Sequence, residues 1–207
     1  MDRYLELVDS IDIEVSAIRE CEDESSRLIK KAKQNGLRVT CDVAAHQLVF
    51  SDEELMSYDT NFKVNPPFRS QKDIAALING LRDDTIDAIV SSHRPQDEES
   101  KKLEFDLADF GVIGLQTVWP TLNKLSEKVP LEKLIEKVTV GPYAVLGADA
   151  PKLEQGAPAE ITVFTPKGSW ILDEQSNKSK SENSPWWGSE LNGHIVAVFN
   201  NKKQLIF

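Results

Sequence analysis

Cysteine is nearly missing from this sequence. Two occur among 207 residues, Cys21 and Cys41, with neither CxxC spacing nor the density of a disulfide scaffold. Such usage implies a reducing compartment, the cytoplasm. Long apolar runs are also lacking: no stretch approaches the ~20 residues of a membrane span. The N-terminal MDRYLELVDSIDIEV is acidic and amphipathic, unlike a secretory leader. Positive charge is in deficit, with 24 Lys and Arg against 34 Asp and Glu and a net charge of −10. The acids are spread along the chain. A chain of this sign repels phosphates, which argues against nucleic acid and anionic membranes as partners. The glycines form no phosphate-binding pattern, and neither a nucleophile elbow nor a Cys/His dyad spacing is found.

What is present is an ordinary globular balance, 40% hydrophobic and 28% charged, long enough for one domain or two small ones. Ile11 to Ile18 reads as a strand by its alternation. Glu22 to Asn35 reads as a helix, acidic in its first turn, basic in its last and stopped by Gly36. A strand is expected from Leu37 to Ala44, then a polar loop ending in Asn65-Pro66-Pro67. Ser70 and Asp73 open a capped helix with Ile74, Leu77, Ile78 and Leu81 on one face. Asp83 to Thr85 turn the chain into a strand from Ile86 to Val90. A helical region from Val112 to Leu125 contains Pro120, expected to kink it, and Leu131 to Val138 is a short helix. Strand-helix alternation of this kind predicts βαβ units and a parallel sheet.

The C-terminal third changes character. Ile161–Phe164, Ser169–Leu172, Ile195–Phe199 and Gln204–Phe207 read as short strands, the last two joined by a hairpin turn at Asn200 and Asn201. The expected division is residues 1–150 for the α/β part and 151–207 for an all-β appendage.

Three segments carry a resemblance: DTNFKVNPPFRSQKDIAALINGLRDDTIDAIVSSHRPQDEESK, EFDLADFGVIGLQTVWPTLNKL, and GAPAEITVFTPKGSWILD with SPWWGSELNGHIVAVFNNKK. They resemble the C-terminal half of dihydroorotases, cyclic amidohydrolases of the amidohydrolase superfamily. SSRLIKKAKQNGLRVTCDVAAHQLVFSDEEL fits the stretch with the family's fifth and sixth barrel strands. The resemblance implies about the last four units of a (β/α)8 barrel, followed by the family's small β-domain. A closed barrel needs about 250 residues, so the chain cannot form one alone.

The family's reaction uses metal-bound hydroxide and a carboxylate that moves a proton. Its metal ligands are an HxH pair, a middle-strand Lys or Asp, histidines on the fifth and sixth strands, and an Asp ending the eighth. By the resemblance, His46 holds the sixth-strand position and is the sole retained ligand. Ala17 stands at the fifth-strand position. The eighth-strand Asp-His-Ala-Pro-His motif is Ser92-His93-Arg94-Pro95-Gln96 here, so Ser92 replaces the catalytic Asp and Gln96 a substrate-contacting His. Asn65 matches a substrate-contacting asparagine, and Phe110 and Gly111 a loop whose backbone approaches substrate. The HxH pair and the middle-strand ligand have no counterpart.

Each retained residue also has a structural reading. His46 and His93 read as packing or loop histidines, Asn65 as a turn into Pro66, Trp186 and Trp187 as β-domain packing or an interface, and the acids from Glu104 to Asp109 as a solvated face. One histidine cannot hold a catalytic zinc, which needs about three protein ligands, and serine is a poor base at neutral pH. No cofactor is therefore expected for this chain, although active family members use zinc. The expected role is a catalytically silent dihydroorotase-like partner in pyrimidine biosynthesis, for example of aspartate carbamoyltransferase. The alternative is a zinc-dependent cyclic amidohydrolase completed by a missing N-terminal half; a third reading is a fragment, with Met1 inside a helix that precedes the first strand. A half barrel exposes strand edges and an apolar inner face, so association with the missing half, with itself or with another protein is expected.

Overall fold

A computed structural model describes residues 15–17 and 23–207. Most of the first expected strand, Glu22, Cys21 and the expected helix at Met1 lie outside the described residues.

Three strands, β1 (Val15–Ala17), β2 (Val39–Ala44) and β3 (Ala88–Val90), form a parallel sheet in that order. Helix α1 (Asp23–Gln34) joins the first pair and α2 (Gln71–Arg82) the second, so both crossovers are βαβ units. Three parallel strands are thus found among the described residues, as many as the sequence pattern predicts, where the resemblance implied about four barrel units. Helix α1 ends as its sequence dictates. Gly36 takes φ 81°, its N–H donates to Lys33 O at 3.0 Å, and the Leu37 N–H donates to Ala32 O at 3.1 Å. This is the paired closure that a left-handed residue permits. It also holds Leu37 out of the strand, so β2 begins two residues later than alternation suggests. Ile86 is drawn away in the same manner, its N–H donating to Gly80 O at 3.0 Å, and β3 starts at Ala88.

At α2 the capping box is complete: Ser70 accepts from the Asp73 N–H, and the Asp73 carboxylate accepts from the Ser70 N–H. Ile74, Leu77, Ile78 and Leu81 are all buried, meeting Ile29, Val43, Ile86 and Ile89 in the main core. Asp42, Ala44, Ala88 and Val90 belong to the opposite sheet face, because their register pairs alternate with the core-facing Val43 and Ile89. That face, expected to be apolar, carries the Asp42 carboxylate beside Ala44, Ala88 and Val90.

Beyond β3, α3 (Glu98–Lys101) is a single turn, α4 spans Val118–Leu125, α5 Leu131–Val138 and α6 Val140–Val145. Pro120 does not kink α4. The helix starts only at Val118, which leaves Pro120 in the first turn, where its missing N–H has no intrahelical role. The sequence did not suggest α3 or α6.

Strands β4 (Glu160–Ile171), β5 (Glu190–Asn200) and β6 (Lys203–Ile206) form a second, antiparallel sheet. The two short strands read at 161–164 and 169–172 are one long strand, interrupted by register shifts between Val163 and Ser169. This second sheet packs on α4 through Trp119, whose ring lies 4.0 Å from that of Phe164 and whose indole N–H donates to Thr165 O at 3.0 Å. Among the described residues no helix is long and apolar enough to cross a membrane.

Candidate functional site

The residues singled out by sequence lie beyond the C-terminal ends of β2 and β3, where parallel sheets place binding sites. The segment after β2 makes three short 3-10 turns, Ala45–Leu48, Asp52–Ser57 and Thr60–Phe62. Buried Gln47 pins it by donating to Pro66 O at 2.8 Å. Asn65, which precedes a cis peptide bond to Pro66, is exposed.

The segment after β3 holds the other candidates. Ser92 is half-buried with φ 47°, a left-handed conformation uncommon for residues other than Gly, Asn and Asp. His93 is structural: its Nδ1 accepts from the Gly114 N–H at 3.1 Å and the Leu115 N–H at 3.4 Å. Those bonds put the ring proton of neutral His93 on Nε2. Gln96 donates through Nε2 to Phe110 O at 2.9 Å. The Gly111 N–H donates to Lys63 O at 3.0 Å. With φ 140°, Gly111 also lies so near Arg94 that an added Cβ would sit 2.7 Å from the Arg94 carbonyl. Gln96, Phe110 and Gly111 are therefore brought together, with Asn65 two residues from Lys63 on the adjoining strand of chain. Gln96 bonds directly to Phe110, while the backbone of Gly111 bonds to Lys63, Asn183 and Lys101.

His46 is 7% exposed, edge-on to Phe68 at a ring separation of 5.6 Å. It shares a recess of ≈ 10 Å³ with Ser91, Val112, Gly114 and Trp186, which is room for about one water. Trp186 in turn packs on Phe50 at 4.5 Å. His46 follows the central strand β2, which pairs with β1 on one side and β3 on the other, and Ala17 ends β1.

Two features carry no signal in the sequence. Buried Asn183 of the Ser/Lys/Asn-rich loop accepts from the Gln96 N–H at 3.1 Å and donates to Arg94 O at 3.1 Å and Gly111 O at 3.0 Å. Its own carbonyl accepts from the Ile113 N–H at 2.9 Å. Lys101, also buried, donates to Thr60 O at 2.5 Å, Asp109 O at 2.9 Å and Gly111 O at 3.3 Å. Burial, and then the charge of Lys63, pushes its ammonium down to about 8.

Among the described residues no group of three or more His, Cys, Asp and Glu converges. The acids nearest Ser92 in sequence are committed elsewhere. Asp87 binds Lys33 at 2.7 Å and the Cys41 N–H at 2.8 Å, and Asp97 caps α3 through the Ser100 N–H at 2.7 Å. The described residues by themselves do not fit zinc.

Comparison with known proteins fits this geometry. A curated dihydroorotase from Geotalea daltonii is 42% identical over 171 residues, covering 82% of this chain and 40% of that protein. One from Aquifex aeolicus is 38% identical over 183 residues, covering 87% and 43%. The chain thus spans about two-fifths of the length of these relatives. Among solved structures, the L-hydantoinase of Arthrobacter aurescens matches 99% of this chain and 47% of its own with a TM-score of 0.90 at 22% identity. The inactive dihydroorotase-like domain of the Chaetomium thermophilum CAD-like multifunctional protein matches 98% and 54%, with a TM-score of 0.71 at 17% identity. These structures show the fold, that of the C-terminal region of hydantoinases. No family model matches the chain. By sequence, the chain belongs to the dihydroorotase family.

Proposed function

We propose that this chain is a dihydroorotase-like protein of cytoplasmic pyrimidine biosynthesis that has lost catalysis and acts as a structural or regulatory partner. The observation that carries this reading is the Ser92-to-Gln96 segment. A serine stands where a metal-ligating general base would be needed, and a hydroxyl can neither hold the metal as a carboxylate does nor accept a proton at neutral pH. Gln96 and Gly111, at the substrate-binding positions, are used in loop-to-loop hydrogen bonds. A dihydroorotase-like domain described as inactive shares the fold.

The partner suggested by the family resemblance is aspartate carbamoyltransferase. Mixing the two and measuring mass by light scattering after gel filtration tests this. A stoichiometric complex with no dihydroorotate turnover supports the proposal; no complex counts against that partner. The second reading is a zinc-dependent cyclic amidohydrolase completed by an N-terminal half, and its support is the 42% identity to a dihydroorotase. It requires turnover despite Ser92.

A further inference from the structure

The segment from Asp52 to Thr60 after β2 and the loop from Asp97 to Asp109 after β3 are joined. Thr60 donates its hydroxyl to Lys101 O at 2.7 Å, and the Tyr58 and Phe105 rings meet edge-on at 6.1 Å. Within a few residues of that contact in sequence, large apolar side chains stand in water: Met56 is 79% exposed, Tyr58 72% and Leu107 62%, with Leu103 also exposed. Such clustering is unusual on a surface that nothing covers.

The chain's negative charge collects at the same place. Residues 52–59 and 97–109 hold ten carboxylates, all exposed, against two lysines. Of those two, Lys101 is buried beneath backbone carbonyls and Lys102 is ion-paired with Glu98. Acids that look spread along the sequence are thereby gathered by the fold. The surface is also held in shape from below. Lys101 ties three carbonyls, and Lys63 donates to Asp106 O at 2.8 Å with its ammonium 4.8 Å from the Phe110 ring centroid. Little ordering would remain to be done on binding.

We propose that these two loop tips form a docking surface for a protein that presents an apolar knob ringed by lysine and arginine. Charge complementarity selects this occupant: the apolar centre supplies contact area, and the carboxylate rim attracts a basic partner while disfavouring an acidic one. A second copy of this chain is disfavoured because two rims of the same sign would face each other. The inference goes beyond the catalytic reading and survives whether or not the chain turns over dihydroorotate.

The test titrates the full chain with an amphipathic peptide of leucine and lysine, and with an oligolysine of equal charge. Affinity is read by calorimetry and the site by hydrogen exchange. The expected results are protection confined to residues 52–62 and 97–110 and binding of oligolysine at least ~10-fold weaker. The double variant Met56→Ser/Leu107→Ser should weaken the amphipathic peptide by a similar factor, with unchanged circular dichroism, because both side chains are exposed. Charge reversal, Glu53→Lys/Asp106→Lys, should weaken binding and flatten its salt dependence. Equal affinity for oligolysine, protection elsewhere, or self-pairing through these tips in sedimentation would overturn the proposal.

Discussion

The side-chain amide of Asn183 donates to the carbonyl of Gly111 at 3.0 Å, linking residues 72 positions apart. Through this bond and those to Arg94 and Gln96, the arm before β5 holds both ends of the loop that follows β3. The candidate site is therefore not a free loop cluster. It is clamped from the side by the second sheet's polypeptide.

Asn183→Ala should destabilise the chain by about 2–3 kcal/mol, since three side-chain hydrogen bonds are lost in a buried setting. Asn183→Asp should be worse at neutral pH, because a carboxylate would face two carbonyl oxygens. Lowering the pH should narrow the gap between the two variants as that carboxyl protonates and regains a donor. Urea unfolding at several pH values measures both effects. An unaffected Asn183→Ala midpoint would show that the clamp contributes nothing.

Lys101 gives a pH dependence of opposite sense to that of a paired lysine. Its ammonium is held at about 8 in the fold against 10.5 for the free side chain. The unfolded chain then binds the proton more tightly, so this group's contribution to stability rises with pH between those two values. Below about 8 both states are protonated and the contribution is flat. Lys101→Met should be destabilised because three carbonyls lose their donor, and the wild type's advantage over it should widen between about pH 8 and 10. A gap that stays constant would show that Lys101 titrates as in water.

In the three-stranded sheet, β1 and β3 are the outer strands among the described residues, and unpaired strand edges promote association. The chain by itself should sediment as a mixture of species or as an oligomer. A single sharp monomer boundary with one cooperative melting transition would contradict this.

The parts of the fold that were legible from sequence are those fixed by local chemistry. The 70–82 helix announced itself through Ser70, Asp73 and the spacing of Ile74, Leu77 and Leu81, and all of those survive in the structure. Pro120 misled because its effect depends on where the helix begins, which Thr117 and the preceding turn decide. Leu37 and Ile86 alternate as strand residues should, yet their N–H groups close helix ends. The site was legible only where a residue's identity carried the chemistry, as at Ser92. Asn183 and Lys101 were hidden because their partners are distant carbonyls, and a polar residue in a polar loop gives no sign of burial.

The central claim is that the Ser92-to-Gln96 segment cannot support metal-assisted ring opening. The most direct test is to express the chain with an N-terminal dihydroorotase half that carries the HxH pair, purify the complex, and measure bound zinc and dihydroorotate hydrolysis together. The account predicts a folded complex with well under one equivalent of zinc and no turnover above background. Near-stoichiometric zinc with steady turnover would contradict it and make Ser92 compatible with an active enzyme.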